Sequence, residues 1–172
     1  PTYGHRMILE AFAQAKRQVR REIILVINRI SAEPEYEREM CGLADTLKVN
    51  TAIRWMAPVS MEELPCVYAG VDLVVNFPIR DAFPVTFIEA AACERPVISC
   101  NLPAYQGTFA ESCFFMVEPG NVERLAQMMI HVVNATPGNG VKAIAEARKI
   151  VENEYDERLC ADRLISLYRE AI

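Results

Sequence analysis

The sequence predicts an α/β domain built on an open parallel sheet with helices on both faces. Three observations carry that expectation. Apolar β-branched runs alternate with segments of helical spacing along the chain. Glu22 to Asn28 (Glu-Ile-Ile-Leu-Val-Ile-Asn) and Val71 to Phe77 are nearly continuous apolar runs, the pattern of strands covered on both faces. The helical segments between them supply the crossovers that parallel strands need, and such crossovers are right-handed.

Each element has its own signal. Met7 to Arg20 places Ile8, Phe12, Ala15 and Val19 at helical spacing. Pro34 to Leu47 predicts a second helix, with glutamates at its start where the helix dipole favours anions. Thr51 to Trp55 reads as a short strand. Ser60 caps a short helix, with Glu63 completing a capping box. Pro84 to Cys93 reads as a helix with proline in its first turn, where a missing N–H costs nothing. Val97 to Cys100 and Cys113 to Val117 read as short strands, and Val122 to Asn134 as a helix. Thr136-Pro-Gly-Asn-Gly140 breaks the chain as a loop within one domain. Two helices, Val141 to Val151 and Asp156 to Ala171, complete the reading.

Size and composition narrow the function classes. The 172 residues suit a single domain, 1–172, with a substantial core. Hydrophobic residues make up 52% and charged residues 24%, ordinary for a soluble fold. A net charge of −5 gives no electrostatic reason to expect nucleic acid. No apolar run approaches the roughly 20 residues of a membrane-spanning helix. The six cysteines are scattered without a C-x-x-C pair, and His5 and His131 are the only histidines, so no zinc-type cluster is expected. The cysteines read as reduced core residues of a cytoplasmic protein. The start, Pro1-Thr-Tyr-Gly-His-Arg, carries no signal-peptide pattern and no initiator Met, so the chain is expected to be part of something longer.

The chemistry concentrates in Asp81 to Ser99. Asp81 falls where a strand gives way to a helix, and Glu89 lies about two turns along that helix on the same side. Ligands of open parallel sheets bind beyond the carboxyl ends of the strands, where this loop belongs. Glu89 stands among Val85, Phe87, Ile88, Ala90, Ala91 and Ala92, and a carboxylate on so apolar a helix needs a partner when buried. The partner is either a protein donor or a ligand hydroxyl. The plainer reading of the pair is an acidic helix start and a surface glutamate.

The same stretch resembles the E-x7-E segment of retaining GT-B glycosyltransferases of the GT4 group, typically E-G-F-G-x-x-x-x-E-A-M-A-C-G-x-P-V-[IV]-[AS]. The chain shares the acid pair, Phe83, Glu89-Ala-Ala-Ala-Cys93 and Pro96-Val-Ile-Ser99. Further matches run along nearly the whole chain: Gly4-His5 to Phe12, Ile53 to Tyr68, Leu102-Pro-Ala-Tyr105, Val117-Glu-Pro-Gly120 with Leu125-Ala126, and Leu167-Tyr168. The resemblance implies a Rossmann-like domain, one half of a GT-B enzyme, that binds a nucleotide-diphospho-sugar such as a UDP-, GDP- or ADP-sugar. It implies Asp81 on the donor sugar and Glu89 on the ribose. It implies backbone N–H groups of the loop and helix start (Ala82, Phe83, Val85, Thr86) on the diphosphate, as anions favour helix N-termini. Trp55, Met56 and Ala57 are the implied nucleobase contacts. No metal and no other cofactor is implied. The acceptor half would be an N-terminal domain missing from this chain, which would also carry any peripheral membrane contact.

The chain departs from that pattern at several positions. The first acid is Asp rather than Glu. Ala82 and Pro84 replace the two glycines beside Phe83, and Pro84 removes an amide donor. Glu94 replaces the glycine after Ala-Cys. Tyr3 stands where relatives place a phosphate-binding lysine, and Arg80 is the candidate substitute cation, although a solvated loop arginine is the plainer reading. These departures raise the alternative of a non-catalytic relative kept for assembly or partner binding. A single-domain signalling receiver is a third class, and it is disfavoured because the first strand ends Ile27-Asn28-Arg29 without acids. His5 reads as a helix-start surface histidine and His131 as a surface or half-buried side chain. Lys16, Arg17, Arg20 and Arg21 read as a solvated helix end that complements the dipole.

Overall fold

The computed structural model describes residues 3–28, 33–135 and 141–170. Helix α1 (His5–Gln18) leads to β1 (Leu25–Asn28), α2 (Pro34–Thr46), β2 (Ile53–Met56), α3 (Leu64–Ala69), β3 (Val74–Asn76), α4 (Val85–Ala92) and β4 (Val97–Cys100). Helix α5 (Phe109–Cys113), β5 (Phe115–Val117), α6 (Val122–Asn134), α7 (Val141–Glu154) and α8 (Glu157–Glu170) follow. The turn read at Thr136 to Gly140, and Arg29 at the end of the first strand, lie outside the described residues.

Every strand pairing is parallel, as alternating strands and helices require. Within the described residues the sheet forms as two ladders. One pairs β1 with β2, Leu25 opposite Ile53 and Asn28 opposite Met56. The other runs β3-β4-β5, with Val74 opposite Val97 and Cys100 opposite Val117. β1 and β3 are shorter than the apolar runs that announced them. β2 offers β1 only four partners, so Glu22, Ile23 and Ile24 lie outside the ladder, and Ile24 is exposed. Cys113, read as the start of a strand, instead ends α5, a five-residue helix too short to show a period.

The core follows the predicted faces. β4 lies between β3 and β5 and all four of its residues are buried. Helix α1 buries Ile8, Leu9, Phe12 and Ala15 at the expected spacing and packs chiefly against α6, whose inward face is Leu125, Ala126 and Met129. Gly4 fixes where α1 begins. Its φ is +63°, and a Cβ there would lie 2.2 Å from the Phe77 carbonyl oxygen. Only glycine accepts both conditions, so the start of α1 is pressed against the residue that follows β3. The reciprocal bonds of the capping box form, Glu63 N to Ser60 Oγ at 3.3 Å and Ser60 N to the Glu63 carboxylate at 3.0 Å, but they close the turn before α3, whose N-cap is Glu63 rather than Ser60. Helix α8 packs against α7 and leaves Leu164, Leu167 and Tyr168 exposed.

The cysteine reading needs correction. Of the six only Cys100 is buried, and Cys66 and Cys160 are exposed. Their helices present those positions to solvent, so apolar neighbours in sequence did not mean a core position.

Glu94 owes its meaning to a helix end. Glu94 N donates to Ala91 O at 3.0 Å and Arg95 N to Ala90 O at 2.8 Å, the paired bonds of a Schellman cap. That cap needs a left-handed residue, and Glu94 supplies it with φ 54°. A glycine at this position would avoid a steric cost of about 1–2 kcal/mol, partly offset by about 0.5–1 kcal/mol of extra unfolded-state entropy. Glu94→Gly is therefore expected to raise stability by about 0.5–1 kcal/mol, seen as a higher denaturant midpoint at unchanged slope.

Candidate functional site

The site is assembled where β3 hands over to α4. β3 ends at Asn76, Phe77 and Pro78 are buried, and the chain then surfaces at Ile79 and Arg80. Asp81 follows, half-buried, in the loop. Its short side chain turns back on the backbone: Oδ1 accepts from the Ala82 N–H at 2.7 Å. The Ala82 amide, a predicted donor to phosphate, is therefore already engaged by Asp81. Arg80 is exposed.

Phe83 and Pro84 point inward. Phe83 stacks on Tyr155 (ring centroids 6.0 Å, planes 10° apart) and meets Phe87 and Phe109 edge-on. Pro84 is buried and is the N-cap residue of α4, which carries no side-chain cap. The first amides of an α-helix lack intrahelical acceptors, so Val85 and Thr86 offer uncapped N–H groups beside the acid. Val85 is exposed and Thr86 half-buried. Cations complete the far end of the helix. Arg148 Nη1 donates to Ala92 O at 2.6 Å and Arg95 Nε to Cys93 O at 3.0 Å, meeting the carbonyl charge of the last turn.

Glu89 is half-buried and has a protein partner: the Tyr68 hydroxyl donates to its Oε2 at 2.8 Å. Burial pushes the Tyr68 phenol far up, and the hydrogen bond to Glu89 and its charge push it further; the Thr86 hydroxyl works in the opposite direction. Tyr68 thus stays protonated and donating. A second tyrosine backs the other acid. Tyr105 is buried, its hydroxyl has no partner in hydrogen-bond geometry, and its phenol is raised by burial first and the Asp81 carboxylate second.

Other unpartnered polar atoms gather toward the same edge. Among the described residues these are Asn28 Oδ1 at the end of β1, Asn76 Nδ2 at the end of β3, and Ser99 Oγ, which stands opposite Asn76 in the β3–β4 register. Buried polar groups are ordinarily paired. Their position toward the carboxyl ends of strands leaves polar atoms at that edge able to meet a ligand or water.

The structure thus groups Asp81, Ala82, Val85, Thr86 and Glu89 on one loop and helix, with Arg80 beside them in solvent. Met56 and Trp55, both half-buried, close β2 in the other ladder, with Ala57 exposed beyond them. Sequence reading assigned no role to Tyr68 or Tyr105, although both fell within matched segments. Their contacts cross between elements, and the only sequence signal was a tyrosine four residues after Leu64 on the preceding helix. His5 is half-buried rather than a surface residue. Its Nδ1 is 3.4 Å from the Tyr36 hydroxyl and burial lowers its pKa. His131 is exposed, its ring 6.2 Å from that of Phe115. Lys16 and Arg17 occupy the last turn of α1, as read. No group of three potential metal ligands occurs among the described residues, and no described helix is long and apolar enough to cross a membrane.

Comparison with known proteins adds to this geometry. The curated relatives include the D-inositol 3-phosphate glycosyltransferase of Mycobacterium leprae, 24% identical over 131 residues. That match covers 76% of this chain and 31% of the relative. A glycosyltransferase crystal structure from Rickettsia africae superposes over 99% of this chain and 45% of that one, with TM-score 0.85 and 26% identity. An Anabaena protein crystallised with UDP and glucose shares the fold over the whole chain and 46% of its own, at TM-score 0.82 and 17% identity. The chain therefore spans less than half the length of these relatives. The family described as "Glycosyl transferases group 1" matches residues 1–156, and with the GT-B-like, GT4-like stretch from Asp81 to Ser99 built as described, the chain belongs to that family.

Proposed function

We propose that this chain is the donor-binding half of a glycosyltransferase that moves a sugar from a nucleotide-diphospho-sugar to an acceptor hydroxyl with retention of configuration. The observation that carries the reading is the Asp81–Glu89 pair flanking the uncapped start of α4 at the carboxyl end of β3. In it, Asp81 holds sugar hydroxyls and Glu89 the ribose. The N–H groups of Phe83, Val85 and Thr86, the dipole of α4 and the Arg80 guanidinium face the diphosphate. Met56 borders the nucleobase. The leaving diphosphate is balanced by these groups without a metal ion.

The acceptor site and the other half of the cleft belong to a preceding domain of the same protein, through which any peripheral membrane contact would run. The lengths of the relatives support this. The exposed thiols of Cys66 and Cys160 fit a reducing compartment, the cytoplasm.

One observation favours the alternative of a non-catalytic domain: Pro84 has no N–H and the Ala82 amide is bonded to Asp81, so the loop presents fewer free donors. Calorimetry separates the two. With the preceding domain present, UDP, GDP and ADP are titrated with and without EDTA. We expect one nucleotide to bind in both conditions. No heat from any of the three at millimolar concentration overturns the donor role, and binding lost only in EDTA overturns the metal-free reading.

A further inference from the structure

We infer that Tyr68 is a positioning residue for the nucleotide, acting through Glu89; this rests on the reading of Glu89 as the ribose-binding acid. Tyr68 lies in the last turn of α3 and Glu89 in the second turn of α4, 21 residues later in sequence. The phenol donates to Oε2 at 2.8 Å in a part-buried setting. Tyr68 has one proton to give, and burial together with the hydrogen bond to Glu89 holds that proton in place.

The consequence for Glu89 is geometric. A glutamate side chain has three rotatable bonds, and an unrestrained carboxylate loses that freedom on gripping a ligand. Tyr68 removes the freedom beforehand by holding one oxygen. Oε1 remains to accept from a vicinal diol, since an ionised carboxylate offers about four acceptor positions and the phenol occupies one. The Thr86 backbone N–H is among the uncapped amides at the start of α4, so the tyrosine holds the acid on the same helix as a phosphate-facing residue.

Tyr68→Phe removes a single oxygen and keeps the ring that packs at the α3–α4 contact, so the fold persists, which a melting curve checks. The test compares UDP, GDP and ADP with their 2′-deoxy counterparts on the longer protein that includes the preceding domain. Wild type is expected to prefer the ribonucleotide it binds. In Tyr68→Phe that preference should shrink by about threefold to tenfold, the scale of restraining one long side chain, with affinity for the deoxynucleotide unchanged. In a Glu89→Ala background Tyr68→Phe should have no further effect. An undiminished ribose preference in Tyr68→Phe, or an equal loss in the Glu89→Ala background, overturns the inference. If wild type shows no ribose preference, the Glu89 reading itself falls and this inference with it. A general fall in affinity for both nucleotide forms identifies Tyr68 as structural only.

Discussion

Phe87→Ala is expected to lower the unfolding free energy by about 3–5 kcal/mol. The ring is fully buried and is the hub of an aromatic cluster, with centroids 5.0 Å from Tyr105, 5.2 Å from Phe114 and 5.8 Å from Phe83. Each of these is an edge-on contact, worth about 0.5–1.5 kcal/mol beyond buried area. The larger part of the loss is transfer and cavity, because Tyr105 and Phe114 are themselves wedged against other elements and cannot collapse into the space. Against a total stability of about 5–15 kcal/mol, one substitution removes about a fifth or more. Chemical denaturation should show a lower midpoint at unchanged slope. Val85→Ala on the same helix, at an exposed site, should change stability by no more than about 0.5 kcal/mol. Equal effects of the two would show that α4 is not anchored through Phe87. The anchoring matters for function because Phe87 lies between Thr86 and Glu89, so the face that packs the core also orients the face that would meet a ligand.

Much of this arrangement was legible in the sequence, and the parts that were not share a physical reason. Val97 to Cys100 and Val122 to Asn134 emerged with the bounds read for them, because a fully buried strand and an amphipathic helix each write their burial into their own residues. β1 was read too long because ladder length is set jointly with β2, whose contribution cannot be seen within Glu22 to Asn28. Glu94 was noticed as a departure, but its role in the left-handed cap of α4 depends on bonds back to Ala90 and Ala91. Asp81 and Glu89 stood out because their spacing and flanks lie in one continuous stretch. Tyr68 and Tyr105 did not, because what makes them relevant is a meeting of separate elements. The engagement of the Ala82 amide by Asp81 was equally hidden, since a shorter acid could as well have pointed outward.

The two acids should separate in their effects, and that separation is the sharpest test of the site. Glu89→Ala should weaken nucleoside-diphosphate binding by about 10- to 150-fold, the equivalent of losing hydrogen bonds to a charged group worth about 1.5–3 kcal/mol. It also strands the Tyr68 hydroxyl in a part-buried place, so a stability loss of about 1 kcal/mol should accompany it and must be measured separately by denaturation. Asp81→Ala should leave affinity for the bare nucleotide near wild type, because its proposed partners are sugar hydroxyls that the bare nucleotide lacks. Turnover with the matching nucleotide-sugar should instead fall by about 100-fold or more, since contacts to the transferred group act where the reaction's charge develops. Asp81→Asn refines the point. It preserves an oxygen that can accept from the Ala82 amide and so keeps the loop, yet removes the charge. If Asp81→Asn behaves like wild type, the carboxylate serves the loop rather than the sugar. If Glu89→Ala and Asp81→Ala both leave binding and turnover untouched, the pair is a structural feature of the α4 entrance and the donor role belongs elsewhere on the sheet edge.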